Sequence, residues 1–148
     1  MVNIVLYEPE IPPNTGNIAR LCLATNSPLY LIEPLGFSLD DKHLKRAGLD
    51  YWQHVNYQLV PTIESLHKDF PNSNFYYLST KATKLYTEIT YKEDDFLVFG
   101  PESRGLPENL IFSNDTGITI PMFNEKVRSI NLATSVGIVL YEAIRQFN

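Results

Sequence analysis

The chain of 148 residues predicts one α/β domain, 1–148, built on a mostly parallel sheet with helices on both faces. Three observations predict it. Short β-type runs alternate with helix-type segments along the whole chain. The runs Asn3–Tyr7 and Phe96–Phe99 are apolar in the manner of strands buried inside a layered fold. No internal repeat, low-complexity stretch or linker divides the chain.

Asn3–Tyr7 (Asn-Ile-Val-Leu-Tyr) reads as a buried strand. Glu8–Pro13 contains Pro9, Pro12 and Pro13, which exclude helix and central strand and predict a rigid loop at the strand's C-terminal end. A helix opens at Asn14-Thr15-Gly16-Asn17, with Asn14 or Thr15 as its N-cap. Ile18, Leu21 and Cys22 form its apolar face, and Arg20 falls in its second turn. Leu29–Glu33 is a strand closed by Pro34 and Gly36. Asp40–Gly48 is a short helix, capped by Asp40 and ended by Gly48. Val55–Val60 is a strand, Thr62–Phe70 a helix after Pro61, and Asn74–Ser79 an aromatic strand. Thr80–Tyr91 reads as loop, and Phe96–Phe99 as the strand feeding the most unusual motif of the chain. Pro107–Phe112 is a short helix with proline at its first position. Gly117–Ile120 is a strand. Ser129–Gln146 is the longest helix, with Ser129 as N-cap and Leu132, Ala133, Val136, Val139, Leu140, Ala143 and Ile144 in an apolar stripe.

An apolar share of 44% with 20% charged residues is the balance of an ordinary globular domain. No apolar run is long enough to span a membrane, and Met1-Val2-Asn3-Ile4 lacks the basic start of a signal peptide. The single cysteine, Cys22, excludes an intrachain disulfide and reads as a buried core thiol in a reducing, cytoplasmic setting. The scattered histidines offer no metal-ligand spacing, so no metal is expected. A net charge of −5 argues against broad nonspecific binding to nucleic acid. It leaves room for a local patch. Lys42, Lys45 and Arg46 stand at helical spacing, either as a solvated face or as phosphate contacts.

In open parallel sheets, ligands bind beyond the C-terminal strand ends. Three such ends are marked here: Glu8–Gly16, Gly100–Gly105 and Pro121–Ser129. Gly100 and Gly105 lack a β-carbon, which suits either close approach of backbone to a flat ligand or a tight turn alone. Neither a Gly-x-Gly-x-x-Gly fingerprint nor a Walker loop is present, so a dinucleotide or triphosphate site is unsupported.

Three stretches together resemble a known family. They are Asn14-Thr15-Gly16-Asn17-Ile18-Ala19-Arg20, Phe99-Gly100-Pro101-Glu102-Ser103-Arg104-Gly105-Leu106, and Ile120-Pro121-Met122 with Arg128-Ser129-Ile130-Asn131-Leu132-Ala133-Thr134-Ser135. In this order they resemble the motifs of the SPOUT RNA 2′-O-methyltransferases. The opening Asn3–Asn17 and the segment Asp41–Tyr51 are similar to the subgroup that methylates the wobble cytidine or uridine of tRNA (TrmL-type).

The resemblance implies a C-terminal trefoil knot, a homodimer, and S-adenosyl-L-methionine bent in the knot, with S-adenosyl-L-homocysteine as product. It implies cofactor contacts at Leu78, Gly100, Glu102, Gly105, Ile120, Met122, Ser129 and Leu132, and catalytic roles for Arg20 and Asn131. The substrate it implies is a tRNA anticodon loop, met by Lys42, Lys45, Arg46 and, as a minority reading beside interface packing, Tyr141. Glu102 and Arg104 are expected to form an ion pair with each other or with Arg20. Methylation of ribosomal RNA, and a noncatalytic RNA-binding dimer of the same fold, are the alternatives.

Overall fold

The computed structural model describes residues 1–47, 49–112 and 116–147. Strands β1 (Asn3–Tyr7), β2 (Leu29–Ile32), β3 (Tyr57–Val60), β4 (Phe75–Leu78), β5 (Phe96–Phe99) and β6 (Gly117–Ile118) form one sheet in the order β3-β2-β1-β5-β4-β6. Every pairing is parallel. The helices are α1 (Pro12–Thr25), α2 (Lys42–Ala47), α3 (Ile63–Asp69), α4 (Glu108–Phe112) and α5 (Leu132–Phe147).

Two cores sandwich the sheet, as the apolar strands require. On one face Ile4, Leu6, Leu97 and Phe99 meet Ile18 and Cys22 of α1 and Val136, Val139 and Leu140 of α5. On the other, Val5, Phe96 and Val98 meet Ile63 and Leu66 of α3 and Ile111 of α4. Alternate residues of β1 and β5 thus serve opposite cores, and the one buried polar residue of β1, Asn3, sits at its start with its amide donated to the Asp94 and Asp95 carbonyls. Burial pushes the Cys22 thiol up to about 12, so it is an inert core group.

Several element boundaries differ from the sequence expectation, each for a local reason. Pro12 and Pro13 lie inside α1 as its first residues, with Ile11 as N-cap. First-turn N–H groups have no intrahelical acceptor, so proline loses nothing there. At α2 the cap is Asp41, whose Oδ1 accepts from the His43 N–H at 2.8 Å, rather than Asp40. Gly48, expected to end that helix, lies outside the described residues. A 3-10 turn over Leu49–His54 follows. The β2, β3, β4 and β6 strands are each shorter than expected because the ladder ends where a partner ends. Beyond β6, Thr119 still bridges to Leu85, and Tyr86–Glu88 forms a 3-10 turn inside the stretch expected as loop.

A partly buried His67 against the buried Tyr77 on the second face gives a pH prediction. His67 Nε2 lies 2.5 Å from Tyr77 Oη, and its ring packs 3.9 Å from that of Phe75. Burial lowers the His67 pKa, and Glu64 opposes this only in part. The fold therefore resists the proton that the unfolded chain accepts, and stability should fall on acidification below about pH 6.5. Urea unfolding between pH 8 and 5 checks this: the dependence should be shallower in His67→Gln than in the wild type.

Candidate active site

The chain runs outward from β1 through β2 to β3, then crosses to β4 and returns to β5 beside β1. Loops leaving β1 and β5 therefore diverge from the middle of the sheet, where a crevice must open. A cavity of about 560 Å³ lies there, within the usual range for small-molecule sites. Leu78, Gly100, Glu102, Gly105, Ile120, Met122, Ser129, Asn131 and Leu132 all line it. Loops far apart in sequence thus converge on one space.

The glycines of the β5 loop answer first to the loop itself. A β-carbon at Gly100 would lie 2.5 Å from the Leu106 nitrogen and 2.6 Å from the Gly105 carbonyl carbon. Gly105 has φ +69, and a β-carbon there would meet nothing within 4 Å. Gly100 is required by close approach of its own loop, and Gly105 by a left-handed turn.

Glu102 has a different partner set from the one expected. It pairs with neither Arg104 nor Arg20. Its carboxylate accepts from the Glu10 N–H at 2.9 Å, the Ile11 N–H at 2.8 Å and Asn14 Nδ2 at 3.2 Å. Ile11 has no side-chain oxygen with which to cap α1, so a carboxylate from the β5 loop supplies the negative charge the helix N-terminus favours. Glu10 reciprocates: its carboxylate accepts from Ser103 N–H at 2.8 Å and Ser103 Oγ at 2.9 Å, which hold it below the usual range. Arg104 instead donates to Glu8 at 3.0 Å and lies 3.7 Å from Glu10. Glu8 itself has φ +48, a strained backbone at the exit of β1.

The network continues into the third loop. Asn131 Nδ2 donates to Asn14 Oδ1 at 3.1 Å, and Asn131 Oδ1 accepts from the Thr134 N–H at 3.1 Å. Asn131 is thus the N-cap of α5, and Ser129, expected in that role, stands exposed on the cavity rim before the helix. One tertiary contact decides between two residues with equal capping chemistry. Asn14, 8% exposed, is the hub joining all three loops. Glu102→Ala should therefore cost about 2–4 kcal/mol of stability by urea unfolding, since two backbone donors and a buried amide lose a charged acceptor. Glu108→Ala, which breaks only the exposed pair with Lys81, should cost under about 1 kcal/mol.

Arg20 and the basic patch stand elsewhere. Pro13, Asn17, Arg20 and Ala24 form one exposed stripe of α1, whereas Asn14, Thr15 and Ile18 face inward. Arg20 does not line the cavity; its guanidinium carbon lies 5.7 Å from the centroid of the Tyr51 ring. Lys42, Lys45 and Arg46 are exposed around the fully buried Leu44 on α2, which packs against α1. Tyr141 is 50% exposed on α5 and does not belong to the core. Sequence reasoning missed Ser79, Thr80, Lys81 and Thr119 as lining residues. Their signal was their place just past the ends of β4 and β6, where a parallel sheet puts its ligands.

The chain matches the sequence pattern of the SpoU rRNA Methylase family over residues 1–141. A tRNA (cytidine(34)-2'-O)-methyltransferase of Saccharophagus degradans is 49% identical over 99% of this chain and 96% of its own length. A solved structure that gives structural insights into the 2-OH methylation of C/U34 on tRNA superposes with TM-score 0.94. It has 45% identity and covers 99% of this chain and 96% of its own. The fold alone is shared with an AdoMet-bound rRNA methyltransferase of Sinorhizobium meliloti, at TM-score 0.87 and 22% identity, covering 99% of this chain and 57% of that one. A parallel sheet whose three marked loops close on one cavity, matched by near full-length similarity, places this chain in the SpoU rRNA methylase family.

Proposed function

We propose that this chain transfers the methyl group of S-adenosyl-L-methionine to the ribose 2′-oxygen of nucleotide 34, the wobble position of tRNA, releasing S-adenosyl-L-homocysteine. The observation that carries the reading is the convergence of Leu78, Gly100, Ile120 and the Ser129–Leu132 segment on one cavity, in a chain 49% identical to a tRNA (cytidine(34)-2'-O)-methyltransferase.

The cavity fits the cofactor. Leu78, Ile120 and Leu132 offer apolar walls for a purine, and residues 100–106 of the β5 loop would hold it through main-chain atoms. When bound, the cofactor supplies an activated methyl group on a sulfonium. The protein's part is placement and charge. Gly105, Met122 and Ser129 border the mouth of the cavity. Glu102 and Asn131 hold the rim in register through Asn14. Arg20 has donors but no acceptor, so it serves as a clamp on a phosphate or on the developing 2′-oxyanion rather than as a base. Lys42, Lys45 and Arg46 contact the anticodon backbone.

A second copy would pair over part of α5, where Tyr141 is exposed, with the exposed apolar side chains of Met122, Phe123, Val127 and Ile130 on the segment before it, giving a homodimer. The whole chain, 1–148, works as one domain with a knotted C-terminal segment. Among the described residues no helix is long and apolar enough to cross a membrane. Nucleoside mass spectrometry of tRNA from cells with and without the gene tests the reading. Loss of a 2′-O-methylated nucleoside at position 34 is expected. An unchanged tRNA profile with a loss in ribosomal RNA would overturn it.

A further inference from the structure

Tyr51 stands on the 3-10 turn Leu49–His54, which packs against both α1 and α2. The turn is anchored from below: Trp52 is partly buried and stacks on Tyr57 at 4.8 Å, with 29° between the rings. The Val55 N–H also donates to the Trp52 carbonyl at 3.1 Å. Tyr51 is left 44% exposed on this support, beside the Arg20 guanidinium, on a turn that packs against the helix carrying Lys42, Lys45 and Arg46.

We propose that Tyr51 is a stacking platform for an unpaired base of the RNA substrate, and that it determines how tightly the RNA is held next to Arg20. The inference rests on the reading of Arg20 and α2 as the RNA-facing surface. Its chemistry is general: a base offers a π face to an aromatic ring whatever its identity, while phosphates take the neighbouring cations. Arg20 lies within cation–π range of the ring. A base on Tyr51 and a phosphate on Arg20 therefore engage one rigid unit, and binding one places the other.

The test is steady-state methylation of an anticodon stem–loop RNA by the full chain. Tyr51→Leu should raise KM for the RNA about 10- to 100-fold. The melting temperature and the affinity for S-adenosyl-L-methionine should stay unchanged, because the side chain is half exposed and outside the cavity. Tyr51→Phe and Tyr51→Trp should restore KM to within about three-fold, since either ring stacks. The salt dependence of KM should be the same in Tyr51→Leu as in the wild type, whereas Lys45→Ala should flatten it. A wild-type KM in Tyr51→Leu, no rescue by Phe or Trp, or a flattened salt slope would overturn the proposal. Full turnover in Arg20→Ala would instead defeat the reading of Arg20. In that case direct binding of fluorescently labelled stem–loop still judges Tyr51: weaker binding by Tyr51→Leu supports the platform, and equal binding ends it.

Discussion

Arg20→Ala should fold normally, bind S-adenosyl-L-methionine with wild-type affinity, and lose methyl transfer to tRNA by about 10²–10³-fold. Each part follows from where the residue stands. Arg20 is on the exposed stripe of α1, so its removal opens no cavity and breaks no core contact. It does not line the cavity, so the cofactor site should be untouched. Asn14, which does line it, is six residues earlier, or roughly 9 Å along the helix axis. Arg20 is therefore rigidly tied to the cavity rim without belonging to it, as a group that meets substrate rather than cofactor would be. Arg20→Lys keeps the charge but loses the planar fork, and should fall between wild type and alanine. Tritiated-methyl transfer, with calorimetry for the cofactor, separates the effects. Turnover near wild type in the alanine variant would remove Arg20 from the mechanism, and a parallel loss of cofactor binding would make its role structural.

What the sequence revealed about this fold divides by distance along the chain. β1 and β5 were legible to the residue because their apolar runs stop at Glu8 and Gly100, and Asn3 and Asp95 mark their starts. The stripe of α5 was legible for the same reason, since its period is local. Its start was not. Ser129 and Asn131 are equally good caps, and the choice falls to Asn131 through an amide donated to Asn14, far away in sequence. Likewise, Glu102 and Arg104 read locally as paired with each other or with Arg20, yet each has its partners in the loop after β1. Pro12 and Pro13 carry an ambiguous signal for a simpler reason: proline excludes a helix interior but favours a helix start, and only the fold decides between loop and first turn. The cavity-lining residues were legible because strand-end position and motif agree. The surface joining Arg20, Tyr51 and α2 was visible only in pieces, since three separate elements build it.

Gly100→Ala should be the most damaging single-methyl change in the protein for cofactor binding. The added carbon would lie 2.5 Å from the Leu106 nitrogen, 2.6 Å from the Gly105 carbonyl carbon and 3.0 Å from Gly105 Cα. All three are backbone atoms, so no flexible side-chain end can yield, and residues 101–106 must move away from β5. That displacement also undoes the tie between the loop and α1. Glu102 is drawn off the N–H groups of Glu10 and Ile11, leaving the start of α1 without its acceptor. Overpacking of this kind costs about 1–3 kcal/mol, which for a chain of this length lowers the melting temperature by about 2–4 °C per kcal/mol. Affinity for S-adenosyl-L-methionine should drop by at least about 30-fold, or 2 kcal/mol, because the displaced segment is one wall of the cavity. Gly105→Ala is the informative control. It meets open space and suffers only the left-handed backbone, a cost of about 1–2 kcal/mol. Its affinity loss should be clearly smaller. Were the two variants to bind equally well, the cavity wall would not be the β5 loop, and main-chain recognition at Gly100 would be untenable.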